Sequence, residues 1–235
     1  MQINYSIHQQ RYCGQIFYPD IKKEHTPLII IFHDWAGCHE GIISEAEKWA
    51  KLGYISFAVD LFGDGKQGKG DEECMKLIQP HFDEPEKYRS VLTETLAFAK
   101  TIEGVDPNNV AIIGFCFGGY SLLELARENN DFKLGFCVHG LLNTEQKMTT
   151  KPSAKLHILH GFLDPMATYQ NVKNLIEEFE TVNADWELLY FSNSSHAFTN
   201  VNANDDDGSK KYDQDASNAS FAHIHHAIEN FLDIA

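Results

Sequence analysis

Cys116 stands in the segment NVAIIGFCFGGY, between an apolar run and the helical pattern SLLELAREN, with Gly114 before it and Gly118 and Gly119 after it. That order suits a thiol nucleophile. A sharp turn between a buried strand and a helix projects the sulfur clear of the sheet edge. Glycines on either side let strand and helix cross where a Cβ would clash. The helix N-terminus also aims unpaired amide groups and the positive end of its dipole at the same point, which favours thiolate and a developing oxyanion. The chemistry is nucleophilic acyl transfer. A free cysteine can equally be a small buried hydrophobe. That reading suits Cys137, inside the apolar run LGFCV, but leaves the glycines around Cys116 without a role.

A nucleophile on such a turn needs a base and a group to orient the base. The expected chain order is nucleophile, acid, histidine, each in a loop after a later strand. Asp164 follows the apolar run in KLHILHGFLDP, and His196 follows the run in WELLYFSNSSHAF. The chain has 12 histidines, so position carries the assignment rather than residue type. Taken alone, Asp164 suits a helix N-cap before Pro165, and His196 suits a surface loop. The order of all three favours Cys116 as nucleophile, His196 as base and Asp164 as orienter. Two backbone N–H groups should hold the oxyanion. One comes from Phe117 and the other from the loop His33-Asp34-Trp35-Ala36-Gly37, with Trp35 as donor and its indole lining the pocket.

These residues need strands behind them. Apolar runs at 28–32, 54–59, 110–113, 134–138, 156–159 and 186–191 alternate with helical patterns near 43–52, 86–103, 118–129, 167–182 and 216–233. Continuous rather than alternating hydrophobicity points to strands buried on both faces. The alternation predicts an α/β class: a doubly wound, mostly parallel sheet flanked by helices, in one domain over 1–235. The stretch from Tyr12 to Tyr18 can add an edge hairpin. Residues 61–85 and 200–215 are rich in glycine and charge and read as long polar loops, which in compact domains are more often functional than not.

The balance of 34 acidic against 19 basic residues gives a formal charge of −15, which repels nucleic-acid phosphates and anionic lipid surfaces. The first residues lack a secretory leader's cationic start and apolar run, and no segment reaches the roughly 18 apolar residues of a membrane span. Five scattered cysteines fit reduced thiols in a cytoplasm. The expected partner is a small-molecule substrate, with no cofactor, metal, nucleic acid or membrane.

Five motifs in order, HDWAG, DLFGDG, GFCFGG, HGFLDP and HAFTN, resemble the dienelactone hydrolase family over most of the chain. The resemblance implies the α/β-hydrolase fold and the triad of Cys116, Asp164 and His196. It also implies an acidic residue beside the resting thiol, and Asp34 occupies that position. Members that cleave dienelactone are expected to hold its carboxylate with two arginines. Here the corresponding loop, DLFGDGKQGKG, offers Lys66 and Lys69, and Asn200 follows HAFT. A neutral asparagine cannot form the bidentate charged pair. The implied activity is hydrolysis of an activated ester, enol-lactone or thioester without dienelactone's carboxylate clamp.

Two other classes compete. In a non-catalytic redox or binding module, Cys116 would sense oxidants, a role that needs neither Asp164 nor His196. In a metal site, His33, Asp34, Cys38 and His39, or His223 with His226, would be ligands. Neither set has the spacing of a known closed site, and the His223–His226 pair reads as a solvated helix face.

Overall fold

Two residues of positive φ, His8 (48°) and Gln9 (67°), close a hairpin between β1 (Gln2–Ile7) and β2 (Gln10–Phe17). The left-handed pair matches the twist of antiparallel strands. The hairpin is the edge of an eight-stranded sheet in the computed structural model, which describes residues 1–21, 24–128, 130–144 and 146–232. The remaining strands are β3 (Thr26–Phe32), β4 (Ile55–Ala58), β5 (Val105–Phe115), β6 (Leu134–Val138), β7 (Lys155–Gly161) and β8 (Trp186–Phe191). Their order is β1-β2-β4-β3-β5-β6-β7-β8, and β4, β3, β5, β6, β7 and β8 pair in parallel. The expected mostly parallel sheet is present, with the N-terminal hairpin on its edge.

Strand β3 shows why the apolar runs are continuous. Leu28, Ile30 and Phe32 enter one core and Ile29 and Ile31 the other, all fully buried. Helices cover both faces, so both sets of side chains leave water. On the second face, α1 (Glu40–Lys51) and α6 (Gln214–Phe231) supply Ala46, Trp49, Ile224 and Ile228. On the first, α3 (Pro85–Lys100), α4 (Phe117–Arg127) and α5 (Tyr169–Thr181) supply Leu92, Leu96, Leu122, Leu125, Val172 and Leu175. No helix among the described residues is long and apolar enough to cross a membrane.

The segment 61–85 departs from the expected loop. It contains α2 (Gly70–Asp83), whose sequence GDEECMKLIQPHFD buries only Cys74 and Ile78 fully. A helix with so narrow an apolar stripe gives a weak periodic signal. The stripe nonetheless has a purpose, because Met75, Ile78 and Phe82 form a wall of the cleft above Cys116.

Between α3, α4 and α5 lies a buried ionic network. Arg127 makes two hydrogen bonds to the Glu178 carboxylate, at 2.8 and 2.9 Å, and a third to Glu124 at 2.7 Å. Arg89 donates to the other oxygen of Glu124 at 2.6 Å. Paired charges of this kind lock helices together, and losing one partner leaves an uncompensated buried charge. Both guanidinium groups are thereby committed away from the cleft.

Candidate active site

Cys116 has φ 53° and ψ −112°, a left-handed conformation that a side-chain-bearing residue adopts only where its surroundings impose it. The surroundings here are tight. A Cβ added to Gly114 would meet the Gly118 carbonyl oxygen at 2.1 Å, and one on Gly118 would meet the Phe32 carbonyl oxygen at 2.2 Å. Glycine is therefore required at both positions for β5, β3 and α4 to approach. The Cys116 amide donates to Val138 on β6, and its carbonyl accepts from Gly119, Tyr120 and Leu141. The turn is held on all sides, and the sulfur stands at the carboxyl edge of the sheet.

Asp164 and His196 arrive at the same edge from the loops after β7 and β8. His196 Nε2 lies 3.0 Å from Cys116 Sγ, and His196 Nδ1 lies 2.8 Å from Asp164 Oδ2. The other Asp164 oxygen accepts from the amides of Met166 and Ala167 at 2.8 and 3.2 Å, fixing the carboxylate. All three side chains are buried, His196 with 1% of its surface exposed. The polar segment 200–215 folds back onto His196. Ser209 accepts from the His196 amide and Lys211 donates to its carbonyl, both at 3.1 Å. A segment read as a loop from composition thus serves to position the histidine.

Burial by itself would lower the His196 pKa. The sulfur of Cys116 and the carboxylate of Asp164 outweigh it and raise the imidazole to about 10. The ring should therefore be doubly protonated at pH 8, and ¹⁵N chemical shifts of the imidazole would show it. In Cys116→Ala the largest raising influence is gone and the pKa should fall. A neutral ring at pH 8 in the parent chain would contradict this electrostatic reading.

Phe117 directly follows Cys116 as the first residue of α4, so its amide has no acceptor within the helix. Trp35 lies in the turn after β3 and lines the cleft, with the Lys210 ammonium 4.7 Å above its ring. Asp34 also lines the cleft, but its carboxylate is engaged elsewhere. One oxygen accepts from the Ala36 amide at 2.9 Å and the other pairs with His39 Nε2 at 3.1 Å. Burial opposes its ionisation, yet His39 and the amide prevail and hold Asp34 below the usual carboxylate range. These contacts engage both oxygens of the carboxylate.

The cleft above Cys116 has a volume of about 510 Å³. Asn200 lines it, as expected of a pocket residue; Lys66 and Lys69 do not, and both are exposed. The lysine that lines the cleft is Lys210, which the sequence reading passed over. It pairs with Asp205 at 3.3 Å and Asp71 at 3.8 Å. His139 was missed as well. Its ring centroid lies 5.4 Å from that of His196, its Nε2 bonds Thr199 at 2.8 Å, and burial keeps it neutral. Its place directly after an apolar run, in LGFCVHG, is the signal that could have found it.

The proposed metal sets do not assemble here. His33 uses both ring nitrogens, Nδ1 toward the Asp34 carbonyl at 2.6 Å and Nε2 accepting from the Leu61 amide at 3.0 Å. His226 is exposed and contacts Asn230, whereas His223 turns inward to His157. The pair therefore does not share one solvated face.

Comparison with known proteins finds relatives of the whole chain. The sequence profile of the dienelactone hydrolase family matches residues 14–232. A Yersinia pestis protein provisionally named carboxymethylenebutenolidase is 24% identical over 193 residues, which cover 77% of this chain and 71% of that protein. A solved structure of a dienelactone hydrolase-like promiscuous phosphotriesterase from metagenomic libraries superposes with a TM-score of 0.93 at 25% identity, covering 99% of this chain and 98% of that one. Esterase 2 from Thermogutta terrifontis, phosphorylated by paraoxon, shares the fold at a TM-score of 0.67 and 16% identity, covering 100% of this chain and 96% of that one.

Proposed function

Because the chain belongs to the dienelactone hydrolase family, we propose that it cleaves activated esters, enol-lactones or thioesters of small molecules with Cys116 as nucleophile. The observation that carries the reading is one buried imidazole joining a strained cysteine to a fixed carboxylate, at 3.0 and 2.8 Å. The sulfur attacks the carbonyl carbon and the carbonyl π pair moves onto oxygen, where the amides of Phe117 and Trp35 stabilise it. Collapse expels the leaving group, which takes its proton from the His196 imidazolium and leaves a thioester acyl-enzyme. His196 then deprotonates water, water attacks the thioester, and the acid departs as the sulfur recovers the imidazolium partner. Asp164 holds the ring's tautomer and balances its charge.

Thiolate leaves more readily than a simple alkoxide or an amine anion. The first adduct therefore goes forward when the substrate departs as an enolate, phenolate or thiolate. Activated esters are favoured over amides on that ground. The same two amides suit a phosphoryl oxygen, and one relative is named a promiscuous phosphotriesterase. An aryl phosphotriester therefore belongs in the substrate panel. A pure redox-sensing role for Cys116 is not favoured, since it gives the His196–Asp164 contact no purpose. Five free cysteines support a reducing, cytoplasmic setting for the enzyme.

The charges in the cleft bear on substrate choice. Lys210 is neutralised by Asp205 and Asp71, and Asp34 adds a further carboxylate on the same wall. A neutral methyl ester should therefore show a kcat/KM at least equal to that of the free acid with the same leaving group. Lys210→Ala should depress the acid further, by roughly the several-fold effect of one unmasked surface charge pair, and leave the neutral ester nearly unchanged. A strong preference for the acid that Lys210→Ala abolishes would show instead that Lys210 holds a substrate carboxylate.

A further inference from the structure

On the second face of the sheet, away from Cys116, three side chains from three elements converge. His157 lies in β7, Glu187 at the start of β8 and His223 in α6. His157 Nδ1 is 2.9 Å from His223 Nε2, and Glu187 Oε2 lies 3.4 Å from the first nitrogen and 3.5 Å from the second. We propose that this His157–Glu187–His223 triangle is a binding site for a zinc-like divalent cation, bound by two imidazole nitrogens and one carboxylate oxygen.

Size carries the first part of the case. A tetrahedral zinc ion with bonds of about 2.0–2.1 Å has ligand-to-ligand edges of about 3.3–3.4 Å. Two edges of the triangle, 3.4 and 3.5 Å, match that value or exceed it by 0.1 Å. The third has hydrogen-bond length, as expected where one proton sits between two imidazoles, and exchanging that proton for a cation opens it by a few tenths of an ångström. The balance is a tautomer shift: the proton between the two facing nitrogens is replaced by one on the far nitrogen of the ring that carried it, so both imidazoles stay neutral and each facing nitrogen offers its lone pair to the cation.

The surroundings supply the second part. The ring of His157 is buried and stacked on Phe136, centroids 4.7 Å apart, so Nδ1 is aimed without rotational cost. Lys155 donates to Glu187 Oε1, leaving Oε2 turned to the histidines, an outer contact of the kind that orients metal ligands. Glu187 and His223 keep 41% and 20% of their side chains exposed, which gives an ion an entry path and leaves its fourth position to water. Two imidazoles and one carboxylate suit zinc better than calcium or magnesium, which take oxygen ligands.

Bound there, the ion would tie β7, β8 and α6 together, the strands that lead to Asp164 and His196 and the helix that follows the His196 loop. Its place is near the start of both strands, so it acts as a structural staple and takes no part in the reaction.

The test uses the full chain carrying Cys116→Ala, which removes the sulfur most apt to capture zinc. Cobalt(II) and zinc(II), added to metal-free protein, should bind at one per chain. The cobalt form should show visible d–d bands without the near-ultraviolet thiolate charge-transfer band. Zinc at about a hundredfold excess over Kd should raise Tm by roughly 5–10 °C. His223→Ala and Glu187→Gln alter partly exposed side chains that the fold tolerates losing. Each should weaken binding by about 100-fold or more, beyond the roughly 10–100-fold cost of losing an outer-shell partner. His226→Ala should bind as the parent does. No saturable binding, binding unchanged in both His223→Ala and Glu187→Gln, or a thiolate band would each overturn the proposal.

Discussion

Replacing Asp164 by asparagine is expected to leave the chain folded and to lower kcat by several orders of magnitude, up to about 10⁴, with little change in KM. The geometry separates the two jobs of the carboxylate. Oδ1 accepts from the Met166 and Ala167 amides, and an asparagine oxygen can keep those bonds, so the loop holds. Oδ2 faces His196 Nδ1 at 2.8 Å, and there the amide NH₂ of asparagine places a donor where an acceptor stood. The ring must then present its Nδ1 lone pair to the asparagine and its Nε2–H to the sulfur. That tautomer cannot take a proton from the thiol. Circular dichroism and steady-state kinetics on one preparation check both halves. A kcat within about threefold of the parent would mean that Asp164 does not orient the base.

The second large effect concerns Cys116 itself. Cys116→Ala should lose turnover by about 10⁶, the scale seen when the nucleophile of a triad is removed, leaving only what binding and the oxyanion amides contribute. The pocket should still bind substrate analogues, since alanine keeps the Cβ and only the sulfur is removed. His196→Gln should behave differently. The sulfur keeps its place at the N-terminus of α4, so acylation by an activated ester continues slowly, while deacylation lacks the base that activates water. The acyl-enzyme should accumulate. Unchanged activity in Cys116→Ala would remove the nucleophile from this account.

The strands and the meeting of Cys116, Asp164 and His196 at one edge could be read in the sequence for the same physical reason. A strand buried on both faces must be apolar throughout, and a parallel sheet forces its reactive loops to one edge, so chain order becomes a map of position. The glycines of GFCFGG were legible because only close backbone crossing explains them. Helix α2 was not legible, because it covers a cleft rather than a core and so carries a narrow apolar stripe at Cys74, Ile78 and Phe82 amid charge. Lys210 was invisible for another reason. Its position depends on the fold-back of 200–215 onto His196, through hydrogen bonds at Ser209 and Lys211 that no periodicity encodes. The resemblance pointed to Lys66 and Lys69 by loop position, yet both side chains turn to solvent. Asp34 sits in the expected turn, and the contacts of its carboxylate with His39, the N-cap of α1, and with the Ala36 amide depend on a local fold that no periodicity encodes.

The central claim is that Cys116 forms the covalent intermediate, and the most direct measurement is intact-protein mass after mixing His196→Gln with an activated ester such as a p-nitrophenyl acyl ester. The account predicts a single added acyl group that peptide mapping places on Cys116, formed with a burst of nitrophenolate and absent from the same chain carrying Cys116→Ala. No adduct on Cys116, or an adduct of equal yield on another residue in the Cys116→Ala chain, would contradict it.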